Sequence, residues 1–266
     1  VNHDTNTVVW AAQGHGKNVL TQFYKQLTPE QLSSIKVVTG DGAKWITECV
    51  NEFTPDCERC VDPFHVVQWA MDALDEVRRE VWREAYAEFT RLSKEHPRKK
   101  GRPKDDDPNT AILNAAKAKA DEIKNSAYAL GKAPENLTEN QQNRVAMIAE
   151  NNNRLYRAYK MKEMLRLLLK IKDTDEAEDA LKRWLWWASH SRIDAFKELY
   201  LKIKRHREHI LNAIRLGMSN ARIEATNNKI KLIVRKAYGF RNIQNMLDMV
   251  YLVCSDLRVP LPNRKP

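Results

Sequence analysis

Near Gln68 the hydrophobic pattern of this chain changes period, and that change limits the available folds more than any other feature. Upstream, short apolar runs alternate with helical stripes. "NTVVWAAQG" (residues 6–14) reads as a β-branched and aromatic strand ended by Gly14 and Gly16. "NVLTQFYKQL" follows, with Val19, Leu20, Phe23, Tyr24 and Leu27 at helical spacing, and stops before Pro29. "IKVVTGDG" predicts a buried strand breaking at Gly40 and Gly42, "AKWITECVNEF" a second helix, and "CERCVDPFHVV" a strand ended by Pro63. This β-α-β-α-β order predicts an α/β fold with at least partly parallel strands.

Downstream the strand signal disappears. "AMDALDEVRREVWREAYAEFTRL" predicts a long, charge-paired helix, and "SKEHPRKKGRPKDDDPN" a polar loop with a basic block facing an acidic one. Residues 110–215 read as further helices. The stretch 222–242 is again helical, and "NMLDMVYLVC" extends its apolar pattern. A helical block of this size could stand as its own domain or sit inserted in the first. The predicted boundaries are 1–67, 68–215 and 216–266.

Charge narrows the partners. Lys and Arg number 45 against 35 acids, a net charge of +10, and a surplus of that size most often meets nucleic acid. A merely soluble basic protein is the bland alternative. "CERC" at 57–60 has the spacing of half a zinc site, but no second pair follows, so free thiols are expected instead. The nearest thing to a membrane span, "MLRLLLKI", is short and interrupted by Arg166, so a cytoplasmic protein is expected. Because the chain opens at Val1 in mid-pattern, it reads as part of something longer.

Three acids stand where chemistry is expected. In open α/β sheets ligands bind beyond the carboxyl ends of the strands, where Asp41 and Asp62 sit. A capping role for Asp41 at the start of the next helix stands beside the functional one. Glu224 is the lone acid among six basic side chains in residues 222–242. A helix there puts Glu224, Asn228, Lys231 and Arg235 on one face, and Ile223, Ile230, Val234 and Ala237 on the other, buried one. Carboxylates beside cations suit a metal-phosphate site, since Mg²⁺ takes oxygen ligands and phosphate completes its shell. Two such ions about 4 Å apart can activate an attacking oxygen and stabilise a leaving one.

"VVTGDGAKWI", "VDPFHVVQWAMDALDEVRRE", "RWLWWASHS" and "SNARIEATNNKIKLIVRKAYGFRN" resemble successive blocks of the ISL-three family of bacterial insertion-sequence transposases, across essentially the whole chain. The last block matches most specifically, through Asn220, Glu224, Asn227, Lys229, Lys231, Arg235, Ala237, Tyr238, Gly239, Phe240 and Arg241. The resemblance implies a DDE enzyme with an RNase H-like core, a mixed sheet with flanking helices, interrupted by an all-helical insertion. Asp41 and Glu224 align with the second and third carboxylates, which implies two Mg²⁺ (or Mn²⁺) ions held by them. The first carboxylate would then lie upstream of Val1 on an opening strand, with Asp4 a poor substitute. Asp62 and His65 match an accessory "D-x-F-H" block, with a satisfied structural imidazole the favoured reading of His65.

The implied substrate is double-stranded DNA, both terminal inverted repeats and target, held by a homodimer on paired ends in a nucleoid-associated protein. Asn228, Lys229, Lys231, Arg235 and Arg241 are the implied DNA contacts. Of the tryptophans in "RWLWWASHS", two are expected in a helical core, and Trp184, next to Arg183, is expected to be the exposed one that stacks on a base. "RKKGRPK" has the look of a minor-groove hook led by Arg102 and Pro103, or of a solvated linker. Two other functions compete with a transposase: a degenerate remnant that binds DNA without cutting, and a nuclease that cleaves without joining.

Overall fold

The structure is a computed structural model and describes residues 1–97, 108–219 and 221–257. Along the chain run α1 (Lys17–Lys25), α2 (Pro29–Ser34), β1 (Val37–Gly40), α3 (Lys44–Phe53), β2 (Glu58–Val61) and α4 (Pro63–Glu95). Then come α5 (Pro108–Asn125), α6 (Ala127–Gly131), α7 (Glu139–Asn151), α8 (Asn153–Leu168), α9 (Thr174–Ser189), α10 (Asp194–Arg205) and α11 (Arg207–Arg215), and finally α12 (Ala221–Lys236) and α13 (Ile243–Cys254). The chain forms two compact units. One joins Val1–Phe64 to the chain from Glu208 onward, and the other is His65–Arg207.

In the first unit, α3 carries the chain from β1 to β2, which lie parallel with Val37 opposite Glu58 and Gly40 opposite Val61. Local signals start the helices. Thr28 accepts from the Gln31 backbone and Gln31 returns a bond to Thr28, a capping box with Pro29 at the first helical position. α1 packs against α3 through Tyr24, whose ring stacks on Phe53 at 5.2 Å, with Phe23 and Trp10 extending the aromatic row. Cys49, Val50, Cys60 and Val61 complete this core, where burial pushes the Cys60 thiol up to about 11.

The mixed-sheet RNase H-like core implied by the resemblance is not what this chain forms. Among the described residues the only sheet is the parallel pair β1–β2, and helices make up most of the rest. The "NTVVWAAQG" run shows why. Its backbone is satisfied by a helix instead of a neighbouring strand: the Val8 amide donates to the Cys254 carbonyl at 2.7 Å, and the Ala11 amide to the Tyr251 hydroxyl at 2.7 Å. Val8 is buried with Val250 and Cys254, against Ile230 and Ile233 of α12. The apolar content that suggested a strand therefore docks an extended segment on two helices.

The second unit is a helical bundle. α4 buries Val66, Ala70, Ala73, Leu74, Val77 and Val81 along one stripe. Its later turns carry exposed ion pairs, Arg91 with Glu88 and Glu95 among them. Arg154 of α8 reaches Glu80 and Glu84 on α4. α8 and α9 pack against one another and bury Leu155, Ala158, Met161, Leu165, Ala177, Leu181 and Trp184. Lys162 is also buried on α8, paired with Glu163 and 4.8 Å over the Tyr159 ring, while Arg166 ties Glu163 to Glu135.

Trp184 corrects an expectation. It is fully buried, with its indole nitrogen donating to the Met161 carbonyl at 2.9 Å, so it cannot offer a face to a base. Helical phase decides this, because Ala177, Leu181, Trp184 and Ala188 recur at intervals of four and three and share one buried stripe. The exposed ring of the three is Trp186, stacked on His190 at 4.8 Å.

Candidate active site

β1 and β2 end in register, so the residue after each strand occupies an equivalent place. The two aspartates found there differ in what is left of them for chemistry. The Asp62 amide donates to the Gly40 carbonyl at 3.0 Å, and its buried carboxylate accepts from the Phe64 amide at 3.3 Å, capping α4. Asp41 is exposed. One of its oxygens accepts from the Ala43 amide at 2.9 Å in the turn into α3, and the carboxylate remains open to solvent. The capping role and an available carboxylate therefore coexist at Asp41. His65, half-exposed, lies in the first turn of α4.

Neither flanking glycine supplies a left-handed turn, since Gly40 and Gly42 both lack a positive φ. A Cβ at Gly40 would meet Ile46 at 3.4 Å and Arg59 at 3.5 Å, in ordinary contact. What shapes the strand end is Arg59, which the sequence reading passed over. Although it lies on β2 and is only 4% exposed, its guanidinium donates to the carbonyls of Val38 (3.3 Å), Cys60 and Asp41. Burial pushes its pKa down, and the charge of Asp41 is the largest effect opposing that. A buried cation bonded to main-chain carbonyls on both strands fixes the backbone from which the Asp41 side chain projects. The signal was there: an arginine inside the apolar run "ERCV".

Glu224 lies in the first turn of α12, where the helix dipole favours a negative charge. The inward stripe of α12 is Ile223, Thr226, Ile230 and Ile233, with Thr226 buried and bonded to the Arg222 carbonyl at 2.9 Å. Val234 is half-buried, whereas Ala237, expected on the buried face, is exposed because the helix has ended by then. Glu224, Asn228, Lys229, Lys231 and Arg235 are all exposed, as is Arg241 beyond the helix. Among the described residues none of these charged side chains takes part in an ion pair. The second unit contrasts with this, since many of its cations are matched.

His3 lies beside β1. Its Nε2 is 3.1 Å from the Thr39 hydroxyl, two residues before Asp41. Burial first, and then the charge of Arg222, lower its pKa, and Arg222 is two residues before Glu224. No sequence signal pointed to His3. The donor chemistry of Asp41 and Glu224, exposed carboxylates facing solvent, suits a hard divalent cation. Among the described residues, however, no three His, Cys, Asp or Glu side chains are grouped as a metal site would need.

α12 closes with a Schellman motif: the Gly239 amide donates to the Val234 carbonyl at 2.9 Å and the Tyr238 amide to Arg235 at 3.2 Å. The left-handed position, normally a glycine, is Tyr238 at φ +51°, a backbone state costing a bulky residue about 1–2 kcal/mol. The "RKKGRPK" hook with Arg102 and Pro103, and Asn220 of the last family block, lie outside the described residues.

A family model described as a transposase, DDE_Tnp_ISL3, matches residues 1–250. The transposase for insertion sequence element IS1557 of Mycobacterium tuberculosis is 42% identical over 265 residues, 99% of this chain and 58% of that protein. The transposase for insertion sequence element IS1001 of Bordetella parapertussis is 25% identical over 236 residues, 88% of this chain and 51% of that protein. The chain thus spans about half the length of the curated relatives it matches. No solved structure is significantly similar. No described helix is long and apolar enough to cross a membrane.

Proposed function

Since the chain belongs to the transposase family DDE_Tnp_ISL3, we propose that it supplies two of the catalytic carboxylates, Asp41 and Glu224, to the DNA-cutting and strand-joining site of an insertion-sequence transposase. The observation that carries this reading is an exposed carboxylate at the end of β1 and another in the first turn of α12, the latter followed by a row of exposed cations that take part in no ion pair among the described residues. Asp41 and Glu224 would hold Mg²⁺ or Mn²⁺, which when bound supplies Lewis-acid stabilisation of charge on the phosphoryl group. Arg59 acts on the site by fixing the main chain that presents Asp41. Lys229, Lys231, Arg235 and Arg241, with Asn228, grip the phosphate backbone and hold the scissile phosphate beside the carboxylates. The partners in this reading are the terminal repeats of the element, its target DNA and a second copy of the protein.

The DNA-binding half of the proposal is tested by salt titration. Lys231→Ala and Arg235→Ala should each weaken binding with little dependence on sequence, and each should reduce the salt slope by about 1. Unchanged slopes in both variants would mean that this face of α12 points away from DNA. Arg59→Met should lower metal-dependent cleavage by about tenfold through misplacement of Asp41, with the salt slope unaltered.

The competing reading is a remnant that holds DNA without cutting it. Metal-dependent cleavage decides between the two.

A further inference from the structure

Tyr238 stands out because the folded chain gains nothing visible from its side chain. The ring is 100% exposed, and among the described residues it has no hydrogen-bond, aromatic or cationic partner. Its backbone sits at φ +51°, which glycine would adopt more readily. Residues kept in disfavoured dihedrals point to a functional requirement, and here the only atoms that glycine would remove are those of the ring.

The surroundings say what the ring could meet. Two backbone bonds of the Schellman motif lock its Cα at the very end of α12, so the ring is presented from a fixed base. Arg235 and Lys236 precede it on the last turn and Arg241 follows three residues on, all exposed. Gly239, at φ +92°, places no side chain beside the ring, and a Cβ there would have nothing within 4 Å. A flat, amphipathic, fully solvated ring among unmatched cations has the make-up of a stacking platform for an unpaired nucleobase whose phosphates those cations hold.

Resting on the DNA reading above, we propose that Tyr238 stacks on an unpaired base next to the strand held by α12, and so makes the chain prefer frayed or single-stranded-tailed DNA over a blunt duplex. Every base has a π-face, so this contact reads strand separation, not sequence.

The test compares the full chain with Tyr238→Gly and Tyr238→Phe on two probes, a blunt duplex and the same duplex with a short single-stranded tail. The unaltered chain and Tyr238→Phe should prefer the tailed probe. Tyr238→Gly should lose that preference, binding the tailed probe about tenfold more weakly while binding the blunt duplex as before. Its thermal midpoint should rise by about 2 °C, separating lost stacking from lost folding. Equal binding of the tailed probe by Tyr238→Gly and the unaltered chain would overturn the proposal. So would a defect confined to self-association in sedimentation, which would assign the ring to a second copy of the chain. If the unaltered chain bound neither probe, the DNA reading itself would fail, and this inference with it.

Discussion

Asp41→Asn and Glu224→Gln should each reduce Mg²⁺-dependent strand cleavage by at least about a hundredfold while leaving DNA affinity unchanged or slightly higher. The substitutions are nearly isosteric, and that is what makes them informative at Asp41. Its Oδ1 accepts a bond from the Ala43 amide, and an asparagine oxygen can accept the same bond, so the turn into α3 survives. Only the negative charge goes. If Asp41 served solely to cap, Asp41→Asn would behave as wild type. Glu224→Gln forfeits at most about 1 kcal/mol of helix-dipole stabilisation, too little to unfold α12. Affinity is expected to hold because a carboxylate beside phosphate repels it unless a cation lies between. Cleavage of a labelled duplex and a gel-shift titration, run on the same preparations, measure the two quantities independently. Wild-type cleavage by either variant would remove that residue from the site, and cleavage lost together with binding would point to misfolding.

The second large effect is on stability. Trp184→Ala should cost the helical unit about 4 kcal/mol, seen as a drop in its thermal or denaturant midpoint. Trp184 is among the largest fully buried side chains, and its removal would leave a cavity on α9, which packs against α8. Its loss also leaves the Met161 carbonyl without the indole donor. Trp186→Ala, in contrast, removes an exposed ring and should shift stability by less than about 0.5 kcal/mol. Were the two variants equally stable, the burial described for α9 would be wrong.

What could be read from the residues beforehand follows from which forces are local. β1, β2 and the helices of the second unit are carried by periodicity, capping groups and turn formers that act within a few residues, and they are where the sequence places them. The opening run failed because β-branched content says that a segment wants burial but not what will bury it. Val8 finds its partners in α13, at the far end of the chain. Trp184 was legible by helical phase, and its charged neighbour Arg183 was the wrong guide. Arg59 and His3 depend on groups brought together by folding, so periodicity could not assign them. Asp41 and Glu224 were singled out by chemical type and place, and the structure adds that both are solvent-facing and free of ion pairs among the described residues.

The first unit is assembled from two stretches of chain with the entire second unit between them. During synthesis the β1–α3–β2 element, with Asp41 already fixed by Arg59, can form soon after it leaves the ribosome. Glu224 emerges only when the intervening helices have been made, roughly ten to forty seconds later at ordinary elongation rates. On the proposed reading, a nascent or prematurely ended chain displays Asp41 but lacks Glu224 and the basic helix, and so cannot cut DNA. The order of the segments alone would therefore keep unfinished copies inert and delay activity until translation is complete.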